Sequence, residues 1–178
     1  KLVSVFPDNV KDGLPNVSGM ILVLSADNGT PIAVLDAGFP TALRTALVGS
    51  LGAKCLAVSQ PKSIGMLGSG EEALMAKLFP SVKVCRVASR NPANEKRFVS
   101  LASKLFPNLI ISCCDSSYEK AAKNADIIVT AISGQVPLLK ADWVKQGAFY
   151  CHVGGIEDEY DVALKADKIV CDSWEALK

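Results

Sequence analysis

The fold of this chain is decided by one stretch, Ile64-Gly65-Met66-Leu67-Gly68-Ser69-Gly70-Glu71-Glu72-Ala73. It joins an apolar strand to a G-x-G-x-x-A turn, which is typical of the first βα unit of a Rossmann fold. Gly68 permits the tight turn, Gly70 lets the backbone approach a pyrophosphate, and Ala73 lets the helix pack closely on the strand. Because the start of that helix offers free N–H groups to phosphates, we expect this segment to bind NAD or NADP.

Short apolar runs bounded by polar or turn residues continue after this motif as alternating strands and helices. That order predicts right-handed βαβ crossovers and a mainly parallel sheet covered on both faces, a doubly wound α/β fold. The predicted strands are Ser63–Leu67, Val82–Ala88, Leu109–Cys113, Asp126–Ala131, Ala148–Val153 and Lys168–Cys171. The predicted helices are Glu71–Phe79, Pro92–Phe106, Ser117–Asn124, Ala141–Lys145 and Asp161–Ala166.

A different pattern precedes this unit. Met20–Leu24 and Pro31–Leu35 flank Asn28-Gly29, a pair that supplies the positive φ angles of a tight hairpin turn. Small and apolar residues then recur at helical spacing from Thr41 to Ala57. We predict a β-hairpin followed by a helix that leads into the Rossmann unit.

Composition excludes several classes of protein. The chain has 178 residues, with Lys+Arg 19 against Asp+Glu 18, so it has no net field that would attract nucleic acid or an anionic membrane. No apolar run approaches the roughly 20 residues that span a bilayer, and the first residues lack a signal peptide's apolar segment, so we expect a cytoplasmic protein. The six cysteines form no CxxC pair, so neither a metal site nor a disulfide framework is indicated.

The end of the second Rossmann strand bears on the choice of cofactor. An acidic residue there would bind the ribose 2′-hydroxyl of NAD, whereas an Arg accommodates the 2′-phosphate of NADP. This chain has Ser89-Arg90-Asn91 at that position, so NADP(H) is favoured and NAD(H) stays possible; Arg90 as an ordinary loop residue is the alternative. The cofactor site predicted from these two strand ends comprises Gly68, Ser69, Gly70, Glu71, Ser89, Arg90 and Asn91, and the Glu71 side chain is expected to point outward.

Several separated segments together resemble one family. They are Lys1-Leu2-Val3 with Phe6-Pro7, Asn28-Gly29-Thr30-Pro31, Thr41-Ala42-Leu43-Arg44-Thr45, the glycine loop, and Trp143-Val144-Lys145-Gln146-Gly147 leading to Val153-Gly154-Gly155. Over nearly its whole length the chain is similar to the ornithine cyclodeaminase/mu-crystallin family. The resemblance implies a homodimer whose subunits combine a Rossmann domain with a substrate and dimerisation domain. Residues 1–58 would then belong to the latter domain, with its connecting helix, and residues 59–178 to the NAD(P)-binding domain.

The resemblance also implies roles for individual residues. Lys1 and Arg44 match the catalytic-site residues that hold the carboxylate of a small amino acid or imine substrate, a role that suits the Arg fork and the Lys point charge. Arg44 and Thr45 lie in the segment that contacts the cofactor phosphates. The remaining matches are with residues beside the adenosine ribose and nicotinamide, namely Thr130, Ala131, Ile132 and Val153.

Other interpretations of two residues stay open. Arg44 could cap a helix or pair with Asp36 instead of binding a substrate. His152 is the only histidine, but it lies in a predicted strand beside Cys151 and Val153, which favours a packing role over general-base catalysis.

The resemblance fails at one functional position. In ornithine cyclodeaminases an aspartate that acts on the substrate amine follows the Val-Gly-Gly segment, whereas this chain has Ile156 there, followed by Glu157-Asp158-Glu159. The first hypothesis is therefore an NAD(P)-dependent oxidoreductase that delivers hydride to the C=N carbon of a cyclic ketimine. The alternatives are an ornithine cyclodeaminase that releases proline and ammonia with NAD recycled, and a non-catalytic NADPH-binding protein.

Overall fold

The computed structural model describes residues 1–69, 76–132, 136–171, 173 and 175. Two predicted cofactor residues, Gly70 and Glu71, lie outside the described residues, as does most of the predicted helix Glu71–Phe79. Its described remainder forms a single 3-10 turn over residues 76–78. Within the part of the chain that the structure describes, no helical segment has the length and hydrophobicity that a membrane span requires.

The first part of the chain forms a three-stranded antiparallel sheet in the order β1 (Leu2–Val5), β2 (Val17–Leu24) and β3 (Pro31–Asp36). The predicted hairpin is confirmed, but its connection is longer than a two-residue turn. Ser25 donates its N–H to the Thr30 carbonyl at 2.8 Å, and only Gly29 in the loop has a positive φ, +73°. A 19-residue helix, α1 (Gly38–Leu56), follows directly.

The second part forms a five-stranded sheet in which every strand is parallel to its neighbours. In the order β6-β5-β4-β7-β8, successive strands are added on one side of β4 as far as β6 and on its other side from β7 onward, so the boundary between β4 and β7 is the switch point of a Rossmann sheet. The α/β class and the mainly parallel sheet are therefore as predicted. The strands are β4 (Ser63–Leu67), β5 (Val84–Ala88), β6 (Ile110–Cys113), β7 (Ile127–Thr130) and β8 (Phe149–His152).

Helices cover both faces of the parallel sheet, because its strands are apolar on both sides. One face packs against α1 and α2 (Pro92–Leu105), with Ala53 and Phe98 in its core. The other packs against two short helices, α3 (Tyr118–Ala122) and α4 (Tyr160–Leu164). Each strand of the central pair, β4 and β7, contributes side chains to both cores, so the sheet is buried as a parallel sheet must be.

Two predicted elements differ from the structure. Residues 168–171 form no strand, and Ile169 and Val170 are about two-thirds exposed, because this apolar run pairs with no sheet edge. The predicted helix Ala141–Lys145 is a 3-10 turn over Ala141–Trp143. Residues 168–171 are apolar enough for a strand but would need a neighbouring strand to pair with. Residues 141–145 have a helical pattern but are too few to form a stable α-helix.

Asp126 ties the amino ends of β4 and β7 together. Its Oδ2 accepts the N–H groups of Lys62 and Ser63 at 2.6 and 3.0 Å, and its Oδ1 pairs with the Lys145 ammonium. Burial alone would raise the pKa of this carboxyl, but the Lys145 hydrogen bond and the two backbone N–H groups hold the pKa below its ordinary value. The interaction therefore stabilises the folded chain above the unfolded-state pKa of about 4 and is lost as the pH falls through the folded-state value.

Asp126→Asn should lower the free energy of unfolding by about 1–3 kcal/mol at pH 7, since two backbone N–H groups and the Lys145 ammonium lose a charged acceptor. It should also flatten the fall in stability below pH ~4. Urea unfolding at neutral pH and along an acid series measures both effects. Asp142→Asn is the matched control, because that carboxylate is 89% exposed and pairs with an exposed Lys165. Equal stability of the two variants at pH 7 would contradict the assignment.

Candidate functional site

The loops that follow β4 and β7 meet at the switch point of the sheet. Ala131 donates its N–H to the Leu67 carbonyl at 2.9 Å, and Gly68 donates to the Ala88 carbonyl at 2.8 Å. Gly68 has φ +116°, and a Cβ placed on it would lie 2.4 Å from the Ala131 carbonyl oxygen. Glycine is thus required here by backbone conformation and by the close approach of the neighbouring loop.

A buried carboxylate to which the sequence pattern gives no role, Glu157, holds the loops after β7 and β8. Glu157 is 1% exposed, and its Oε2 accepts the Thr130 hydroxyl at 2.7 Å and the Gly154 N–H at 2.8 Å. The Val153 N–H lies 3.2 Å from the same oxygen, and Oε1 accepts the N–H of Ile132. Three residues predicted beside the ribose and nicotinamide therefore converge on one side chain.

A second polar cluster lies beside it at the end of β8. The Tyr150 hydroxyl donates to Asp158 Oδ1 at 3.1 Å and lies 2.9 Å from Thr130 Oγ1. Burial raises the pKa of Tyr150 above its ordinary value, so the phenol stays protonated. His152 places Nδ1 2.9 Å from Asp158 Oδ1 and Nε2 2.6 Å from the Gly155 carbonyl, so both ring nitrogens face acceptors of the same loop.

These contacts show how the acidic residues that follow Ile156 are used in the structure. Ile156 is exposed, so the position of the cyclodeaminase aspartate carries an apolar side chain at the surface. Glu157 and Asp158 each accept hydrogen bonds from the chain itself. Both carboxylates therefore have hydrogen-bond partners within the protein.

The loop after β5 presents one cation to solvent. Arg90 is exposed, whereas Ser89 is buried and its Oγ accepts the Asn91 N–H at 3.3 Å. Asn91 caps α2, because its Oδ1 accepts the Ala93 N–H at 2.9 Å. Of the three residues predicted to bind the cofactor here, Arg90 alone directs a free charged side chain outward.

Glu95 is a second buried carboxylate at this edge, and it was also missed. It is fully buried in the first turns of α2 and accepts four backbone N–H groups, those of Ser89 at 2.9 Å, Cys114 at 3.0 Å, Asp115 at 3.0 Å and Ser116 at 2.7 Å. Asp115 and Ser116 have left-handed backbones, with φ of 52° and 61°. Glu95 thus joins the loop after β5 to a strained loop after β6.

The predicted substrate residues lie on the other part of the fold. Lys1 is exposed and immediately precedes β1, and Arg44 is exposed on α1. The Thr45 hydroxyl donates to the Thr41 carbonyl at 2.8 Å, and Asp36 accepts the Gly38 N–H, with no ion pair to Arg44. No hydrogen bond or ion pair among the described residues joins Lys1, Arg44 or Thr45 to the ends of the parallel strands.

Comparison with known proteins agrees with this architecture. The model of the ornithine cyclodeaminase/mu-crystallin family matches residues 1–176. The alanine dehydrogenase of Archaeoglobus fulgidus is 33% identical over 100% of this chain and 56% of its own length. The ketimine reductase mu-crystallin of Rattus norvegicus is 29% identical over 99% of the chain and 57% of its own length.

Solved structures give the same result. The Δ1-pyrroline-2-carboxylate reductase of Thermococcus litoralis, in complex with NADH and L-proline, superposes with a TM-score of 0.86 at 28% identity, covering 92% of this chain and 53% of that one. An archaeal alanine dehydrogenase dimer with bound NAD gives 0.71 at 28% identity, covering 83% and 46%. The chain spans about half the length of the relatives it matches. It belongs to the ornithine cyclodeaminase/mu-crystallin family.

Proposed function

We propose that this chain contains the dinucleotide-binding domain, and part of the substrate domain, of an NAD(P)-dependent oxidoreductase. The enzyme would transfer hydride to or from the C–N carbon of a small amino acid or a cyclic ketimine. The observation that carries the proposal is Gly68, which brings the loops after β4 and β7 together at the switch point, where Rossmann sheets bind nucleotides. The reductase from Thermococcus litoralis that shares this fold binds NADH and L-proline, which supports the reaction class.

The residues at the carboxyl edge suit a dinucleotide. Gly68 and Ser69 would lie beside the pyrophosphate, with Arg90 at the ribose 2′ position. Thr130, Ala131, Ile132 and Val153 would line the ribose and nicotinamide. The bound cofactor supplies or accepts the hydride, while these residues bind and orient it. A preference for NADP(H) rests on Ser89-Arg90, and the neighbouring structures contain NAD or NADH.

The substrate side of the proposal uses the first part of the chain. Lys1 and Arg44 would hold the substrate carboxylate, because a guanidinium binds it through two parallel hydrogen bonds and an ammonium adds charge. Residues 1–58 would form part of a substrate and dimerisation domain, and residues 59–178 the nucleotide domain. Met20, Leu22 and Leu24 on β2 are about half exposed, which supports a homodimer that covers this face. A cytoplasmic location is part of the same proposal.

The arrangement of carboxylates favours a reductase over a cyclodeaminase. Ornithine cyclisation needs an acid–base group at the substrate amine, and both Glu157 oxygens and Asp158 Oδ1 are already hydrogen-bonded to the protein. Hydride addition to an imine that binds as its protonated iminium ion gives a neutral amine directly, so this step needs the substrate placed between carboxylate-binding cations and the nicotinamide but no protein base at the nitrogen.

Thermal unfolding of the full chain with NADPH or NADH tests the proposal. A nucleotide at 100 times its Kd should add about 2.7 kcal/mol to the free energy of unfolding. Turnover is then measured on a panel of cyclic ketimines and amino acids, and on ornithine with NAD. Nucleotide oxidation with a ketimine supports the reductase. Proline and ammonia without net NADH would identify a cyclodeaminase, and tight binding without turnover a binding protein. Lack of stabilisation by either nucleotide would refute the proposal.

A further inference from the structure

A buried negative charge lies directly behind the loop that would meet the cofactor ribose. The Glu95 side chain is fully buried, and its Oε1 is 2.9 Å from the Ser89 nitrogen and 2.7 Å from the Ser116 nitrogen. The other oxygen accepts the N–H groups of Cys114 and Asp115. Since every partner is a donor, the side chain acts as a carboxylate acceptor.

This carboxylate accepts the first backbone N–H of the loop that follows β5. In Rossmann folds the ribose 2′ substituent is recognised at the end of the second strand, so a bound cofactor would present it to the loop that begins at Ser89. The Ser89 N–H is directed to Glu95, and its hydroxyl bonds within the turn to Asn91. A 2′-phosphate bound at this loop would be attracted by the exposed Arg90 side chain and repelled by the Glu95 carboxylate buried beneath the loop.

The same charge acts on the side chains around this loop. Burial raises the pKa of Tyr118, and Glu95 raises it further, while Arg90 opposes the rise. Burial and Glu95 likewise raise the pKa of Cys114. Because Glu95 is excluded from water, salt screens its field weakly.

We propose that Glu95 is a specificity-determining residue that weakens binding of a 2′-phosphate and so limits the preference for NADP(H) over NAD(H). The inference rests on the proposed function of the site. A phosphate monoester carries a charge of about −1.5 to −2 at neutral pH, whereas the 2′-hydroxyl of NAD is neutral. The repulsion therefore acts on one cofactor and leaves the other unaffected.

Two variants of the full chain separate charge from geometry. Glu95→Gln keeps the length of the side chain and removes its charge, whereas Glu95→Asp keeps the charge and shortens the side chain. Fluorescence titration with NADPH and NADH gives the two Kd values for each variant, and circular dichroism checks folding. We expect the ratio Kd(NADH)/Kd(NADPH) to rise about tenfold in Glu95→Gln and to change less than about threefold in Glu95→Asp.

Three results would overturn the inference. These are an unchanged ratio in Glu95→Gln, a fall in that ratio, and an equal rise in both variants, which would show that loop geometry sets the preference.

If Glu95→Gln does not fold, Arg90→Ala replaces it. With the buried charge unopposed, NADPH binding should weaken about 100-fold while NADH binding changes less than about threefold, and a loss of NADPH affinity below about tenfold contradicts the proposal. Failure of the unaltered chain to bind either nucleotide refutes the proposed function and this inference together, whereas the preceding results refute the inference alone.

Discussion

Glu157→Ala is expected to lower the free energy of unfolding by about 3–5 kcal/mol, because it leaves several buried donors without an acceptor. The side chain is 1% exposed and accepts the Thr130 hydroxyl together with backbone N–H groups from both sides of the β7–β8 pair. Each unpaired buried donor costs about 1–3 kcal/mol, and water entering the space vacated by the side chain recovers part of that loss. The same change frees the loops proposed to line the nicotinamide, so nucleotide-induced stabilisation should be lost as well.

Urea unfolding and nucleotide titration measure the two effects of the Glu157 substitution. The free energy of unfolding of Glu157→Gln should be intermediate between those of the unaltered chain and Glu157→Ala, because the Gln amide nitrogen takes the place of one acceptor oxygen. Glu119→Ala is the control, because this half-exposed carboxylate forms an i,i+4 ion pair with Lys123. Its removal should lower the free energy of unfolding by less than about 1 kcal/mol. A Glu157→Ala chain as stable as the Glu119→Ala chain would show that the buried acceptor is dispensable.

Gly68→Ala should abolish nucleotide binding and destabilise the chain by about 2–4 kcal/mol. The added Cβ would lie 2.4 Å from the Ala131 carbonyl oxygen, and that atom belongs to a backbone already bonded to the end of β4. The φ of +116° adds a conformational cost for any side chain. Relief of the clash requires the loops after β4 and β7 to separate, which opens the switch point.

Gly13→Ala is the matched control for the loop substitution. Gly13 also has a positive φ, +72°, but a Cβ there would meet nothing within 4 Å. The control should therefore show only the conformational cost, about 1–2 kcal/mol, with nucleotide binding unchanged. Thermal unfolding with and without NADH distinguishes the two variants. If Gly68→Ala still responds to NADH as the control does, close approach of the two loops is not needed for binding.

The parallel sheet was predictable because its buried strands consist mainly of consecutive apolar residues, which can be recognised in the sequence. β7, Ile127–Thr130, is buried at every residue, and a short continuous apolar run of this kind indicates a strand covered on both faces. Residues 168–171 are also mostly apolar but pair with no strand of the described chain, and pairing is a property of the tertiary structure. The glycine turn was predictable from local conformation, whereas the approach of the Ala131 carbonyl to Gly68 depends on residues 63 positions apart.

The two buried carboxylates could not be predicted from the sequence. Glu95 lies in the first turns of an amphipathic helix, where an acidic residue normally faces solvent and favours the helix dipole. Glu157 stands within a run of three acidic residues, and nothing in the sequence distinguishes it from Asp158 or Glu159. Their partners are mainly backbone N–H groups, which every non-proline residue carries, so residue types give no signal of the interaction.

Glu95 and Glu157 together fix the outer loops of the carboxyl edge before any ligand arrives. One carboxylate joins the loops after β5 and β6, and the other joins those after β7 and β8. Loops held in this way have little conformational entropy left to lose on association. A ligand that binds this edge meets a preorganised surface, so its affinity reflects the contacts it makes rather than the ordering of the protein around it.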